Sequence, residues 1–177
     1  MMQEMRKWEL DKAHSSIEFS ARHMMIANVR GHFEKFDADI QMDVLHPESG
    51  KVDFKVQAET ITTSEPDRDK HLRSSDFLDV SNHPYITFVS RKISRVKDEV
   101  TVEGDLTIRG ISRPISVSGP LAGPIKDAYG HDRIGFDGEV AINRKEFGLN
   151  WNMILEAGGV LVGDIVKLGI HLELTSN

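Results

Sequence analysis

The sequence contains no cysteine, which excludes disulfide bonds, thiolate nucleophiles and cysteine-based zinc or iron–sulfur sites. It also contains no run that approaches the roughly 18 apolar residues of a membrane helix. Its N-terminal stretch carries charges where a signal peptide needs an apolar segment of about 7–15 residues. We therefore expect a cytoplasmic protein without stable membrane insertion, or a periplasmic one if a leader has been removed.

An excess of basic residues is missing too, because the net charge is -6 and both signs are interspersed along the chain. A nucleic-acid surface normally needs a basic face that neutralises phosphates, so we expect no nucleic-acid partner. The dinucleotide fingerprint GxGxxG does not occur, and Asp164 stands where a phosphate loop spaced like Gly158 to Gly163 would need lysine. We interpret that segment as a turn and predict that no cofactor is required.

What the sequence does contain is alternation of apolar and polar residues, the pattern of strands with one buried face. It recurs in eight segments, at residues 17–21, 36–42, 52–58, 86–88, 100–108, 115–117, 134–142 and 166–174. A chain of 177 residues without a linker is most simply one domain, residues 1–177, in which we expect residues 1–7 to form a flexible tail. The sequence therefore predicts a single all-β domain.

Eight amphipathic antiparallel strands can form a sandwich or a closed barrel, and closure removes the edges that long strands would expose. We favour the eight-stranded antiparallel barrel, whose interior is either filled by side chains or holds one slender ligand. Inward Gly104 and Gly138 indicate reserved space, although glycines at bulges or barrel corners explain them equally well.

The stretch PDRDKHLRSSDF, residues 66–77, gathers charges that suit either a helix or a catalytic cluster. Ser64 and Asp67 are spaced like a capping box, and Pro66 fits the first turn, so we predict a short capping helix near residues 65–75. The alternative is acid/base catalysis on a hydrophobic substrate by His71 with a neighbouring carboxylate, that of Asp67, Asp69 or Asp76.

The eight histidines show none of the HxH, HxxxH or HExxH spacings of metal sites, so we predict no metal. His23 continues the inward face of the first strand. A lone histidine in such a position is more often a hydrogen-bonded core residue than a ligand, and both interpretations stay open.

Several ordered motifs together resemble the YceI-like family. They are WELD with His14 and Ser15, Phe19 with His23, GHF at 31–33, RDKHL at 68–72 running to Asp76 and Phe77, HP with Thr87 and Phe88, GDLTIRG at 104–110, and Asn143-Arg144 with Phe147, Gly148 and Trp151. The resemblance covers essentially the whole chain from Trp8 onward.

This resemblance implies an elongated lipocalin-like barrel that holds a long polyisoprenoid lipid in its lumen and performs no catalysis. A prenyl quinone, prenyl phenol or prenyl phosphate would serve as the bound ligand, and a homodimer is a reasonable default for a soluble oligomer. The remaining alternative is a stress or interaction protein whose barrel is filled by its own side chains.

The family motifs fall on Arg68 and Leu72 of the helix segment, with Phe77 beyond it, and on Arg144, Phe147 and Trp151. Arg68 and Arg144 are the candidate cations for an anionic head group, and His23 is the candidate for a neutral one. The alternation adds a predicted wall of apolar residues, some of which must be ordinary core: Phe36, Ile40, Phe54, Val56, Phe88, Leu106, Ile108, Phe136 and Ile142.

Overall fold

The computed structural model describes residues 4–156 and 158–177. The strands are β1 (Arg6–Leu10), β2 (Ser16–His23), β3 (Ala27–Phe33), β4 (Phe36–Asp43), β5 (His46–Gln57), β6 (Ile61–Thr62), β7 (Tyr85–Val96), β8 (Glu99–Ile108), β9 (Ile111–Lys126), β10 (Asp132–Asn143) and β11 (Val162–Ser176). Helix α1 spans Pro66–Arg73, and short 3-10 turns lie at Lys12–His14, Ala58–Thr60 and Arg144–Phe147. No helix within these described ranges has the length and hydropathy needed to cross a membrane.

The strands close into an eight-stranded antiparallel barrel, as the sequence predicted. The circuit runs β1, β4, β5, β7, β8, β9, β10 and β11, and β11 returns to β1 through the pairs Glu9 with Thr175 and Leu10 with Leu174. Strand β2 continues β1 along β11, β3 precedes β4 in one bent strand, and β6 prolongs β5. The barrel wall therefore has eight strand positions, because β1 with β2, β3 with β4 and β5 with β6 each count as one. Each of the eight alternating segments occupies one of these positions.

Two apolar clusters fill opposite ends of this barrel. The helix-end cluster includes Phe33, Phe36 and Phe147 and lies where β5, β8 and β10 finish. The far-end cluster is built around Trp8, which is 2% exposed and donates its indole N–H to the Met42 carbonyl at 3.1 Å. Because the far-end side chains are so fully buried, that end of the barrel is sealed.

The inward glycines do not leave empty space. A Cβ at Gly104 would lie 2.6 Å from the Phe88 ring, and one at Gly138 would lie 2.5 Å from the Phe136 ring. The aromatic rings lie over the glycine positions, so the expectation of reserved space at these two residues is wrong. Both phenylalanines use the missing Cβ to lie close to the sheet.

One boundary and one helix cap differ from the prediction. Arg6 and Lys7 belong to β1, opposite Met42 and Gln41, rather than to a flexible tail, because β4 offers them a strand to pair with. The remainder of that tail at residues 1–3 lies outside the described residues. Helix α1 starts where the sequence predicted, but its cap is Glu65, whose carboxylate accepts from the Arg68 N–H at 2.8 Å.

The turn between β9 and β10 is fixed by Asp127. Its carboxylate accepts from the Arg133 side chain at 2.9 Å and from the backbone N–H groups of Tyr129 and His131. The hydrogen bond from Arg133 is the main reason that the pKa of Asp127 is lowered to about 2. Partial burial opposes this shift, and the two backbone hydrogen bonds add to it.

This lowered pKa predicts an acid-dependent loss of stability. A carboxylate whose pKa is depressed by folding stabilises fully above its ordinary value of 3.8, and the contribution is lost as the pH falls toward about 2. We expect Asp127→Asn to be less stable than the unaltered chain at neutral pH, and the difference to close on acidification. Urea unfolding at a series of pH values measures it; a difference that persists undiminished at the acid end would contradict the assignment.

Candidate functional site

The barrel encloses an apolar channel of about 260 Å³, whose wall includes side chains of both clusters. On β11 its wall runs from Val162 to Leu174, a length of about 40 Å along the strand and roughly 30 Å along the axis of a barrel with strands tilted by about 40°. Thr87 and Arg144 are the polar members of the wall. The channel is therefore long, narrow and almost free of hydrogen-bonding groups.

Most of the predicted site residues line this channel. Those in its wall are Ile40, Phe54, Val56, Leu72, Phe77, Phe88, Leu106, Ile108, Phe136, Ile142 and Arg144. Phe36 and Phe147 pack instead within the helix-end cluster, where Phe147 is 1% exposed. The structure thus places these residues, while contact of any of them with a ligand stays a prediction.

One side of the wall was not among the predicted site residues. It is formed by β2 and β11, and its members are Ile17, Phe19, Ala21, Val162, Val166, Leu168, Ile170, Leu172 and Leu174. The alternation already put most of them on an inward face. Seven of them are only partly buried, whereas Leu172 and Leu174 are fully buried in the far-end cluster, a difference that only the structure shows.

An aromatic cluster stands at the helix end of the channel. The His71 ring meets Trp151 edge-on at a centroid distance of 4.6 Å and Phe77 at 5.0 Å, and the Phe77 and Trp151 rings lie 5.4 Å apart. Nε2 of His71 is 2.8 Å from a carboxylate oxygen of Asp76. Phe77 faces the channel, whereas Trp151 lies outside its wall.

Arg144 is a buried cation that organises the connection between β10 and β11. Its side chain is 3% exposed. Its guanidinium donates to four backbone carbonyls, those of Leu149, Trp151, Val162 and Gly163. Burial lowers the pKa of Arg144 below its ordinary value, and the Asp164 carboxylate at 3.9 Å opposes that shift. The side chain borders the channel with most of its donors already used.

Arg68 and Asp69 meet through Thr63, which precedes the helix. Nε of Arg68 donates to the Thr63 hydroxyl oxygen at 2.7 Å, and that hydroxyl donates to Asp69 at 2.6 Å. Burial alone would raise the pKa of Asp69, but the hydroxyl and backbone N–H of Thr63 hold it below its ordinary value. This part of the family motif therefore ties α1 to β6, and Arg68 is not in the channel wall.

His23 also lies outside the channel wall. It ends β2, where it pairs with Ala27 of β3 and with Val162 at the start of β11. Since the wall includes Ala21 and Val162 but not His23, the inward face of β2 leaves the channel between positions 21 and 23. A role for His23 near a head group stays a prediction.

Asp11, His14 and Glu173 bring their ligand atoms within 4.8 Å of one another, a spacing that a metal ion could use. Arg133 already bonds both carboxylates, Asp11 at 2.8 Å and Glu173 at 2.7 Å. Arg133 is the first cause of the lowered pKa of Asp11, and His14 is the second. A guanidinium thus supplies the positive charge that this acidic cluster needs.

Comparison with known proteins agrees with this geometry. A UPF0312 protein of Staphylococcus epidermidis is 34% identical over 97% of this chain and 98% of its own. Among solved structures, BcnA of Burkholderia cenocepacia superposes with a TM-score of 0.82 at 23% identity, covering 93% of this chain and 99% of that one. A polyisoprenoid binding domain from Saccharophagus degradans superposes with a TM-score of 0.73 at 12% identity, covering 97% and 99%. The family model of the YceI-like domain matches residues 8–174, and the chain belongs to that family.

Proposed function

We propose that this protein binds one long-chain polyisoprenoid lipid in its channel, as a carrier or storage protein, and returns it chemically unchanged. The observation that carries the proposal is the channel itself, about 260 Å³ in volume and walled by apolar side chains along the barrel. An engineered apolar cavity of about 150 Å³ stays dry and accepts benzene. A larger and slender cavity of the same character suits a flexible hydrocarbon chain, and the Saccharophagus degradans domain is named for such a ligand.

The orientation of the bound lipid follows from the difference between the two ends of the barrel. The far end is sealed by Trp8, Ile40 and Ile134, each 2% exposed, so the apolar tail points there. The head group then lies at the helix end, near Leu72, Phe77 and Val162. The residues at this end decide which head group is accepted.

A neutral head group fits the helix end better than an anionic one. The Arg144 guanidinium donates hydrogen bonds to four backbone carbonyls, and the Arg68 guanidinium donates to the hydroxyl and the carbonyl of Thr63. Redirecting either guanidinium toward a phosphate would leave buried or partly buried oxygen acceptors without a donor, at up to about 1–3 kcal/mol for each group. Of the three candidate head groups, quinone, phenol and phosphate, we therefore place the two neutral ones first.

The energetics favour slow release of whatever chain is bound. Each isoprene unit brings about five carbons, which contribute on the order of 4 kcal/mol at about 0.8 kcal/mol per carbon. Several units would exceed the ceiling of roughly 18–21 kcal/mol for non-covalent binding, so chain entropy and imperfect contact offset much of this sum. Discrimination between neighbouring chain lengths is consequently weak.

The contacts of His71 support binding over catalysis. Its ring contacts the rings of Phe77 and Trp151, and its Nε2 lies 2.8 Å from a carboxylate oxygen of Asp76. It does not border the channel, whereas its neighbours Leu72 and Phe77 do. We assign His71 to the packing of the barrel end and not to proton transfer.

The experiment that tests this proposal compares geranylgeraniol with geranylgeranyl phosphate, which share one chain and differ in the head group. Binding is measured by quenching of tryptophan fluorescence with lipid-free protein. We expect the two dissociation constants to agree within about threefold, or about 0.7 kcal/mol, and to be unaffected by Arg68→Ala. A phosphate that binds far more tightly, with the advantage lost in Arg68→Ala, would restore the anionic head group; no binding of either probe would overturn the lipid-binding function.

A further inference from the structure

Six apolar side chains are exposed together at the helix end of the barrel. Three lie in the turn between β2 and β3, and three lie in the segment that precedes β11. We call them the apolar rim, and their exposed fractions are 43% for Met24, 58% for Met25, 78% for Ile26, 55% for Met153, 85% for Ile154 and 37% for Val160.

The apolar rim is one surface and not two. The Met24 N–H donates to the Leu161 carbonyl at 2.9 Å, and the Leu161 N–H donates to the Met153 carbonyl at 2.9 Å. The Met25 sulfur lies over Gly159, so close that a Cβ there would meet it at 2.2 Å. Contiguous exposed apolar patches on soluble proteins mark protein or membrane interaction sites.

This surface adjoins the channel. Ala21 and Val162 are in the channel wall, and the same two chain segments reach the apolar rim within three residues at Met24 and Val160. Lipid that enters or leaves at the helix end therefore passes beside the rim. Apolar contact along this path spares a prenyl chain from crossing water.

Charges around the apolar rim nearly balance. The guanidinium of Arg22 donates to the Met25 carbonyl at 3.2 Å, and Lys145 pairs with Asp164 at 3.3 Å. Glu156 is exposed in the same segment. With no net charge to complement, the surface suits a partner without net charge.

We infer that the apolar rim docks the protein reversibly on a neutral lipid bilayer, with the helix end of the channel facing the membrane. Six side chains fall well short of the roughly 20–30 residues that each partner contributes to a stable protein interface, which disfavours a second copy as the occupant. Shallow insertion of a few Met and Ile side chains is sufficient for peripheral binding to a bilayer. The flexible methionines adapt to a surface without fixed shape.

This inference rests on the proposed function only because lipid transfer would explain why the protein binds a membrane. Docking itself can be measured with protein that carries no lipid. Lipid-free protein is floated with phosphatidylcholine vesicles that contain no prenyl lipid. The test variant is Ile26→Glu with Ile154→Glu. The matched control is Val96→Glu with Ile125→Glu, because those residues are 74% and 68% exposed where β7 and β9 finish at the far end.

We expect the unaltered chain and the control to float with the vesicles, with little dependence on salt. The partition coefficient of the rim variant should fall by about tenfold or more, because buried apolar surface is replaced by charge. Geranylgeraniol binding in solution should be unchanged in both variants, since neither touches the channel wall.

Failure of docking and failure of the proposed function are distinguishable. Unaltered protein that stays with the solution while binding geranylgeraniol overturns the inference alone. Equal loss in the rim and far-end variants would show a non-specific effect and would also overturn it. A rim variant that converts a dimer into a monomer in analytical ultracentrifugation, with vesicle binding unchanged, would assign the surface to a second copy of the chain instead.

Discussion

Ala21→Trp is expected to lower the affinity for lipid about a thousandfold while the protein stays folded. Ala21 lines the channel on β2, directly opposite Val166 of β11 in the strand register. An indole there occupies the space of at least one isoprene unit near the entrance. Losing the contribution of one unit, about 4 kcal/mol, lowers the affinity about a thousandfold. Titration with geranylgeraniol measures the loss.

The neighbouring position supplies the control for this plug. Ser20 faces the opposite side of β2, opposite Lys167, so Ser20→Trp adds the same ring outside the barrel and should bind as the unaltered chain does. Urea unfolding should place Ala21→Trp within about 1–3 kcal/mol of the unaltered chain, the usual cost of overpacking. Val166→Trp gives a second plug. Full binding by both folded plugs would exclude the channel as the binding site.

Arg144→Met should produce the largest loss of stability. The substitution keeps an unbranched side chain but leaves four carbonyls, one buried and three partly buried, without their donor. At about 1–3 kcal/mol for each unpaired buried group, partly relieved by local rearrangement, we expect a loss of about 3–5 kcal/mol. That is a large share of the roughly 5–15 kcal/mol by which a domain is stable.

The destabilisation caused by Arg144→Met should be concentrated in the segment that Arg144 holds. Because the four carbonyls belong to residues 149–163, amide hydrogen exchange should accelerate there first. Arg144→Lys should recover little, since an ammonium offers three donors from one point. Arg68→Met, which removes bonds to Thr63 only, should cost less. Equal stability of Arg144→Met and the unaltered chain would show that these carbonyls find water and that Arg144 has another task.

The barrel could be predicted from the sequence because a strand with one buried face repeats every two residues. Ile134 to Ile142 and Val166 to Leu174 show that repeat, and they pair along their whole length. The interruptions within a single barrel strand could not be predicted. For example, β1 and β2 are separated by a 3-10 turn, yet both pair with β11. That joint depends on contacts with strands far away in the chain.

The channel could be predicted only in part. Phe36 and Phe54 follow the same alternation, yet Phe36 packs in the helix-end cluster and Phe54 borders the channel. Which inward residue faces a void depends on the volumes of all its neighbours, and alternation carries no volume. The sequence also could not show that the Arg144 guanidinium has most of its hydrogen-bond donors occupied. Its acceptors are backbone carbonyls, which any residue type supplies, so no side-chain pattern indicates them.

The most direct test of the account is organic extraction of freshly purified protein followed by mass spectrometry of the extract, with Ala21→Trp purified in parallel. We expect about one neutral lipid per chain, with masses spaced by isoprene units, and almost none from the plugged variant. An extract that remains empty even after incubation with prenyl alcohols and quinones would contradict it, as would the same lipid recovered equally from both proteins.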